Sequence, residues 1–370
     1  MSKKEKVLIF GNSGWKIYNF RLNLVKTLIS QNFDVIILAP KDKYIKYLIS
    51  IGCKHCEVKM QNQGKNPFIE LKLLFEIYFI IKKISPNYLL QFTIKPNIYG
   101  SIVSRFLKIK TLNNITGLGS FIEKDNLFKR FIILLYKFSF KKVHTVFFQN
   151  NEDQNIFLKK KIVTPDQCEV IPGSGIDISS FKPLKKKNSD KLVFLLASRI
   201  IKSKGILDYI SSAKIIKRKF PNTSFLLAGD FDANKKDSIN KSFIHKYSKD
   251  NTINYLGFSE NIIDYISESD CIVFPSYYHE GVPRILLESA SMEKPIITTN
   301  HKGCKDVVDH GINGFLCEPK NPTDLANKIA NFIKLDENAR KKMGRNSRVK
   351  VLKEFDEQIV IKKYLERMQK

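Results

Sequence analysis

Two glutamates, Glu280 and Glu288, lie eight residues apart in the segment EGVPRILLE, and their carboxylates could bind the hydroxyl groups of a polyol. The segment follows an apolar run, CIVFPS, that is typical of a buried strand. Pro283 favours the start of a helix, because the first helical position needs no backbone donor. We therefore expect Glu280 in the loop and Glu288 one to two turns into the helix. Both would face one pocket beside the helix amino terminus, whose N–H groups favour an anion.

Two cations, Arg199 and Lys204, follow a second apolar run, KLVFLLAS, and precede a segment with helical periodicity. Ligands of open α/β sheets bind at the carboxyl ends of the strands, so two cations there can neutralise a diphosphate. The alternative is that the two glutamates and the two cations are ordinary surface residues, which short motifs alone do not exclude.

The composition of the chain favours two globular domains and an anionic partner. The 370 residues suggest two domains rather than one, and the hydrophobic content of 43% is sufficient for packed cores. The formal charge of +27 is spread through both halves and favours phosphates, acidic lipid surfaces or nucleic acid. A Lys- and Ile-rich composition with no specific purpose is the alternative.

The six cysteines and the short apolar runs predict a protein of the reducing cytoplasm. Only Cys53 and Cys56 are closely spaced, and no second pair completes a zinc site. The apolar runs are too short for a signal peptide or a membrane span. Residues 127–143 mix aromatic residues with five basic ones, so they could form a helix that lies on an anionic leaflet. A core helix with a solvated basic face is the alternative.

Apolar segments of strand length alternate with helical segments along the whole chain, which is the pattern of parallel sheets. The alternation stops at residues 168–191, a stretch with glycines, prolines and a lysine run that is typical of an interdomain linker. It then restarts. We therefore expect two αβα layers, with ligands bound at the carboxyl ends of the two sheets.

The chain resembles the retaining glycosyltransferases of family 4. The resemblance covers nearly the full length, and its most specific parts are EGVPRILLE, MEKPIITT, HGINGFL and ASRIIKSKG. The segments TIKPNIYG and NNITGLGSF are similar to bacterial transferases that add an N-acetylhexosamine to undecaprenyl-diphosphate-linked sugars. The resemblance implies an α/β protein of the GT-B fold, with two Rossmann-like domains that face each other across a cleft.

The resemblance also implies domain boundaries. Residues 1–175 would be the acceptor-side domain and residues 176–350 the domain that binds the nucleotide sugar. The C-terminal helix of residues 351–370 would then pack back on the N-terminal domain.

Three residues are implied to be catalytic. Arg199 and Lys204 would bind the diphosphate of the donor, and Glu280 would contact the hydroxyls of the donor sugar. Glu288 would bind the ribose. Five further residues are implied to bind the donor: Gly281, Val282 and Pro283 near the sugar and phosphate, Gly257 and Phe258 near the base. Gly14, in the loop after the first strand, would approach the diphosphate, although a tight turn is the simpler reading.

The N-terminal half departs from the family pattern. Many members have a histidine near the reacting centre, whereas the corresponding strand end here reads QFTIKPN. Its polar residues Thr93, Lys95 and Asn97 are therefore the candidates for the acceptor side. For Lys95 the alternative is a solvated lysine before a helix opened by proline. Since no Asp-x-Asp pair stands out, we expect transfer without a metal or another cofactor, with cations and helix termini stabilising the phosphate charge.

The sequence therefore predicts a retaining glycosyltransferase that moves an N-acetylhexosamine from a nucleoside diphosphate, most simply uridine diphosphate, to an undecaprenyl-diphosphate-linked acceptor. Such an enzyme would lie at the inner face of the cytoplasmic membrane. The alternatives are a nucleotide-sugar 2-epimerase of the same fold and a basic nucleic-acid-binding protein. The second is disfavoured, because the basic residues are dispersed and no nucleic-acid-binding motif is present.

Overall fold

The computed structural model of the chain describes residues 4–60, 66–118, 127–186, 190–232 and 237–370, and within helix 127–140 it does not describe the side chain of Phe128. The last residues of the motif NNITGLGSF and residues 187–189 of the predicted linker lie outside the described residues. The chain divides into two compact units, one formed by Met1–Ser174 with Glu357–Lys370 and the other by Gly175–Asp356.

The first unit is built on a parallel sheet of seven strands in the order β3-β2-β1-β4-β5-β6-β7. Its strands are β1 (Lys6–Phe10), β2 (Asp34–Ala39), β3 (Lys54–Glu57), β4 (Tyr88–Phe92), β5 (Lys110–Ile115), β6 (Thr145–Phe148) and β7 (Cys168–Val170). Its helices are α1 (Gly14–Ser30), α2 (Ile45–Ser50), α3 (Pro67–Ile84), α4 (Ile94–Leu107), α5 (Leu127–Phe140), α6 (Asn151–Lys159) and, at the end of the chain, α13 (Glu357–Gln369).

Both faces of this sheet are covered, which explains why strands such as β1, β2 and β6 are almost continuously apolar. Successive residues of a strand point to opposite faces. In β1, Val7 and Ile9 accordingly pack in a core with α1 and α13, whereas Leu8 and Phe10 pack in another core with α3 and α4. The helices α3, α4 and α5 thus lie on one side of the sheet, with α4 packed against both of the others.

The predicted linker begins too early. Cys168–Val170 form β7, which pairs with β6 at the edge of the sheet. A strand of three residues is too short to produce a recognisable alternation of apolar and polar residues, so the glycines and prolines after it dominated the pattern. Beyond the strand, Ile176 is completely buried in the core of the second unit.

The second unit has a parallel sheet of six strands in the order β10-β9-β8-β11-β12-β13. Its strands are β8 (Leu192–Ala197), β9 (Thr223–Ala228), β10 (Asn254–Gly257), β11 (Cys271–Phe274), β12 (Ile296–Thr299) and β13 (Gly314–Cys317). Its helices are α7 (Ile206–Lys219), α8 (Lys241–Lys249), α9 (Ile262–Ser267), α10 (Arg284–Ser291), α11 (Pro322–Lys334) and α12 (Glu337–Glu354).

The two parallel sheets with helices confirm the predicted α/β class and the two Rossmann-like units. In each unit the strand order reverses beside the first strand, at β1/β4 and at β8/β11. Such a reversal opens a crevice at the carboxyl ends of the strands. Among the helices of the described residues, none combines the length and the apolar character needed to cross a bilayer.

Candidate active site

The segments that carry the predicted catalytic residues meet where the strand order reverses in the second unit. Strand β8 pairs directly with β11, with Cys271 opposite Phe194. Arg199 and Lys204 follow β8, and Glu280 follows β11. Because both strands are parallel, their following loops emerge at the same edge of the sheet. This explains how residues about 80 positions apart in the chain come into contact.

Gly205 allows these two loops to approach each other closely. It has a φ of +74° and lies just before α7, and a Cβ atom at this position would be 2.1 Å from the carbonyl oxygen of Pro275. The loops are also joined by a hydrogen bond of 2.9 Å from the Tyr277 N–H to the Ser203 carbonyl. A side chain at position 205 would therefore separate the elements that carry Lys204 and Glu280.

Lys204 and Glu280 form an ion pair at the centre of the candidate site. Lys204 is only 8% exposed, and its ammonium nitrogen lies 5.1 Å from the ring centroid of Phe274 and 5.4 Å from that of Tyr278. The Ser276 hydroxyl donates a long hydrogen bond of 3.5 Å to the same carboxylate. A buried ammonium between aromatic faces is well placed to attract an anion, because it is weakly screened by solvent.

Arg199 lies in the same region but is more exposed. Its guanidinium pairs with the Asp232 carboxylate at 2.9 Å and lies 5.8 Å from the ring centroid of Tyr278. Tyr278 is thus a neighbour of both predicted phosphate-binding cations. Sequence reasoning missed Asp232 and Tyr278. Asp232 could have been found as an acidic residue that follows β9 closely, because β9 pairs with β8 and the loops after both strands emerge at the same edge of the sheet.

Helix α10 begins one residue later than predicted. Pro283 is its N-cap, with an extended ψ of 122°, and Arg284 is the first helical residue. The difference arises because proline fixes φ but not ψ, so it suits both positions. Glu288 lies in the fifth position, where its carboxylate accepts a hydrogen bond of 2.8 Å from the Arg284 guanidinium. Desolvation raises the pKa of Glu288, and Arg284 opposes this shift.

The loop after β12 packs against the loop that carries Glu280. Gly303 has a φ of +76°, and a Cβ atom there would be 1.7 Å from the Gly281 carbonyl oxygen, so the two backbones touch. Gly281 itself is buried, and Val282 packs at the edge of the core below α10. These contacts fix the position of the loop at the amino terminus of α10.

His279 is a further candidate that the sequence patterns did not indicate. It directly precedes Glu280, and its ring centroid is 5.3 Å from that of His301. Burial, together with the charges of Lys302 and His301, lowers the pKa of His279 to about 4. The imidazole is therefore neutral at pH 7 and can both donate and accept a hydrogen bond.

Gly257 and Phe258 lie farther along the same sheet edge. Gly257 ends β10 with a φ of +74° and has open space where a Cβ atom would be. Its carbonyl accepts a hydrogen bond of 2.8 Å from the Gly229 N–H at the end of β9. Phe258 is 59% exposed, which makes its ring accessible to an aromatic base.

Gly14 is the first residue of α1 in the other unit. A Cβ atom at Gly14 would be 2.5 Å from the Asp42 carboxylate, and that carboxylate accepts a hydrogen bond of 2.9 Å from the Trp15 N–H. Packing alone thus accounts for a glycine here. A role in binding the diphosphate stays a prediction.

The three acceptor-side candidates lie at the start of α4, and each is part of the structure of the first unit. Thr93 caps the helix with a φ of +75°, which is rare for a residue other than glycine. The Lys95 ammonium lies 2.6 Å from the Glu70 carboxylate of α3. Asn97 is 1% exposed and donates a hydrogen bond of 2.8 Å to the Asn114 carbonyl of β5. Their role toward an acceptor stays a prediction.

Within the described ranges, no cluster of three or more His, Cys, Asp or Glu side chains is arranged to hold a metal ion. Arg199 and Lys204 are positively charged groups of the described site that can bind a phosphate.

Two family models match the chain. The model "Glycosyl transferases group 1" matches residues 177–350, and the model "Glycosyl transferase 4-like" matches residues 6–150. The first contains every site residue discussed above for the second unit, and the second contains Gly14 and the residues at the start of α4.

A curated relative and two solved structures have similar lengths. The chain is 28% identical to the N,N′-diacetylbacillosaminyl-diphospho-undecaprenol α-1,3-N-acetylgalactosaminyltransferase of Campylobacter jejuni, over 97% of both chains. A glycosyltransferase of Rickettsia africae superimposes with a TM-score of 0.80 at 23% identity, over 99% of this chain and 98% of that one. HepE of Anabaena, in complex with UDP, superimposes with a TM-score of 0.79 at 19% identity, over 98% and 99%.

Proposed function

Because this chain belongs to the glycosyltransferases, with a group 1 domain that follows a glycosyltransferase 4-like domain, we propose that it moves an N-acetylhexosamine from a uridine diphosphate donor to a lipid-linked saccharide. The relative from Campylobacter jejuni is named for a transfer of this kind. The proposed product is an intermediate of a surface polysaccharide or glycan.

The observation that carries this proposal is the pairing of Lys204 with Glu280 at the reversal point of the second sheet. One buried cation and one carboxylate in contact can bind the two ends of a sugar phosphate, the ammonium on the phosphate and the carboxylate on the ring hydroxyls. Arg199 adds a second cation, and the amino terminus of α10 adds backbone N–H groups.

We assign the nucleotide to the unit Gly175–Asp356 and the acceptor to the unit that begins the chain. Glu288 would bind the ribose, because its carboxylate offers acceptors for two neighbouring hydroxyls. Phe258 and Gly257 would contact the base. The solved relative HepE contains UDP, which supports a uridine nucleotide for this fold.

The proposed reaction retains the configuration of the sugar. Cleavage of the bond between C1 of the sugar and the phosphate oxygen leaves negative charge on the diphosphate, which Arg199 and Lys204 stabilise. The acceptor hydroxyl attacks from the face that the phosphate leaves, and a phosphate oxygen takes its proton. Charge stabilisation by these two side chains requires no metal ion, so we expect turnover to persist in EDTA.

Transfer is favoured over the two alternatives. The relatives named above are transferases, which argues against a nucleotide-sugar 2-epimerase. A nucleic-acid-binding function would not require carboxylates beside the cations, since these repel phosphate backbones. A lipid-linked acceptor together with a nucleotide-sugar donor would place the protein at the cytoplasmic face of the membrane.

Acceptor-dependent release of UDP tests the proposal. The purified chain is incubated with UDP-N-acetylgalactosamine and a synthetic polyprenyl-diphosphate-linked monosaccharide. We expect UDP release only when both are present, and a product in which NMR shows an α-linked sugar. Release without acceptor, a product with a β-linkage, or interconversion of UDP-sugars at C2 would each contradict the proposal.

A further inference from the structure

The helix α3 has an apolar stripe on the side that faces away from its own sheet. Leu73, Ile77 and Ile81 form the buried side of the helix. At about 100° per residue, Phe75 lies about 200° around the helix from Leu73. The opposite side should therefore be polar, but it carries four large apolar residues that are at least half exposed: Phe68 at 84%, Leu71 at 53%, Phe75 at 56% and Phe79 at 64%.

The helix α5 has a second stripe of the same kind. Leu127, Phe131, Leu134 and Phe138 follow one another at intervals of three or four residues and are 51–82% exposed. Tyr136 and Phe140, on the other side of the helix, are completely buried. Exposed apolar rows on two helices are unusual for a surface that meets only water.

The two stripes lie on the same side of the first unit. The connections β3–α3–β4, β4–α4–β5 and β5–α5–β6 all advance in one direction along the sheet. Right-handed crossovers therefore place the three helices on one face. Between the stripes, α4 contributes Phe106, which is 69% exposed. We call this surface the α3–α5 face, formed by the exposed residues of α3, α4 and α5.

Basic residues accompany these apolar rows. The sequences of α4 and α5 contain no aspartate or glutamate. Arg105 is the basic residue of α4 on this face, since Lys95 is half-buried and paired with Glu70 of α3. Helix α5 adds Lys129, Arg130 and Lys137. Helix α3 carries three lysines, Lys72, Lys82 and Lys83, against two glutamates, Glu70 and Glu76. The guanidinium of Arg105 lies 5.3 Å from the ring centroid of Phe138, so the cation borders the apolar row.

We propose that the α3–α5 face docks on an anionic lipid bilayer, with the aromatic row of α3 inserted among the acyl chains and the basic residues at the phosphate level. This inference rests on the proposed function, because it names the surface by which the enzyme would reach a lipid-linked acceptor. The sequence indicated only α5 for this role, and the structure adds α3 as an equal partner.

A bilayer fits this surface better than a second copy of the chain does. A symmetric dimer would bring the basic residues of two identical faces together, and like charges across an interface are unfavourable. An anionic leaflet instead provides the opposite charge. Aromatic residues beside Lys and Arg are also the composition of helices that lie in a membrane interface.

Vesicle flotation of the full-length chain tests the docking surface. Vesicles contain either phosphatidylglycerol with phosphatidylcholine in equal amounts or phosphatidylcholine alone. We expect binding to the anionic vesicles, and a partition coefficient lower by about tenfold or more when aspartates replace two aromatic residues, in Phe75→Asp/Phe79→Asp. The α5 variant Phe131→Asp/Leu134→Asp should lose binding to a similar extent.

The matched control is Val349→Asp/Leu352→Asp on α12, which also replaces two exposed apolar residues. This control should retain most of the binding. Unchanged flotation of the α3 variant would overturn the proposal, as would equal losses in the α12 control or equal binding of the wild-type protein to neutral vesicles.

A second measurement separates this inference from the proposed function. Calorimetric titration with UDP should give the same affinity for the α3 variant and the wild-type protein. Loss of UDP binding in the α3 variant would mean that the substitution disturbs the fold. The variant Phe75→Ala/Phe79→Ala, which removes the two exposed rings without adding charge, should then keep UDP binding and lose flotation. Retained UDP binding with unchanged flotation in this variant would overturn the proposal. Absence of UDP binding in the wild-type protein would refute the proposed function, whereas its flotation would still report on the docking surface.

Discussion

Lys204 is the residue on which the candidate site depends most, because it is a buried cation whose neighbours are a carboxylate and two aromatic rings. An ammonium in this position is costly to leave without a negative partner. Glu280 supplies that partner in the protein. A diphosphate carries more negative charge than one carboxylate, so it can replace Glu280 as the partner of the Lys204 ammonium. The glutamate can then accept hydrogen bonds from the sugar hydroxyls.

Removal of either predicted phosphate-binding cation should reduce turnover strongly. We expect Arg199→Ala and Lys204→Ala to lower kcat by about 100-fold or more, since loss of one charged group that stabilises a developing anion typically costs this much. The effect would be measured as acceptor-dependent UDP release at saturating donor.

Lys202→Ala is the control for these variants, because Lys202 lies in the same segment and is exposed. It should retain near wild-type turnover. Since Lys204→Ala leaves Glu280 buried without its cation, the double variant Lys204→Met/Glu280→Gln tests whether the protein still folds. Wild-type turnover in both single alanine variants would refute the assignment of the diphosphate site.

Lys294 gives the protein a pH dependence of stability that can be measured separately. It is 8% exposed and donates hydrogen bonds of 2.8 Å to the carbonyls of Ser267 and Ser269. Burial lowers the pKa of Lys294 to about 8, despite the opposing charge of Asp270. Between about pH 8 and 10.5 the unfolded chain therefore binds a proton that the folded protein has released, so stability rises with pH.

We compare the unfolding free energy of the wild-type protein with that of Lys294→Met. From pH 8 to pH 10.5, this difference should shift by about 3 kcal/mol in favour of the wild type, since one pKa unit corresponds to about 1.4 kcal/mol. Urea denaturation at several pH values measures this difference. The control is Lys350→Met. Burial lowers the pKa of Lys350, but Asp309 and Glu354 outweigh this effect and raise the pKa. Lys350 therefore stays charged in both the folded and the unfolded protein over most of this pH range, and the difference in unfolding free energy between the wild type and Lys350→Met should be nearly constant. Equal slopes for both variants would contradict the prediction.

The sequence predicted the site at residue level only in part. Charged residues directly after apolar strands made Arg199, Lys204 and Glu280 the predicted site residues, because a strand end and its loop are local features. The structure brings Lys204 and Glu280 into contact, and their role toward a donor stays a prediction. The partner Asp232 is contributed by the loop after β9, and its contact with Arg199 depends on β9 lying beside β8. His279 gave no signal, since its depressed pKa is a result of burial that spacing does not reveal.

At the scale of elements, the loop between β8 and α7 determines how closely the loops that carry Lys204 and Glu280 approach each other in the candidate site. Gly205→Ala should destabilise the protein by about 3 kcal/mol or more, because it adds a clash with the Pro275 carbonyl to the cost of a left-handed conformation. The unfolding free energy from urea denaturation measures the effect.

Gly257→Ala is the matched control, because Gly257 has the same φ of +74° but open space around its Cβ position. It should cost only about 1 kcal/mol, the conformational part of the penalty. If the two variants were equally stable, the close approach of the two loops would not be what requires a glycine at position 205.

The strands and helices were largely predictable from the sequence, and the two errors in their prediction have a common origin. Long apolar runs such as those of β1 and β8 identify buried parallel strands by composition alone. The strand β7 was missed and the start of α10 was one residue off, because in both places a few residues decide the structure. The exposed stripe of α3 was also missed, since this helix has large apolar residues on more than one side, and the sequence does not reveal which of these sides meets solvent.

At the scale of the whole molecule, the chain returns to its first unit with α13 after completing the second. Tyr364 anchors this helix. It is completely buried, its ring centroid lies 4.5 Å from that of Phe147, and its hydroxyl accepts a hydrogen bond of 2.7 Å from the Asn114 amide. The C-terminal residues are therefore part of the core beneath β4, β5 and β6.

Tyr364→Ala should destabilise the first unit by about 3–5 kcal/mol, because it leaves a large cavity among these aromatic residues. Tyr364→Phe keeps the ring and should cost only about 1–2 kcal/mol, for the Asn114 amide that loses its acceptor. Hydrogen exchange followed by mass spectrometry should show faster exchange in β4 and β5 of the alanine variant, with β8 and β11 unchanged. Faster exchange in both units to the same degree would mean that α13 stabilises the molecule as a whole, and unchanged exchange in β4 and β5 would mean that the helix contributes little to its unit.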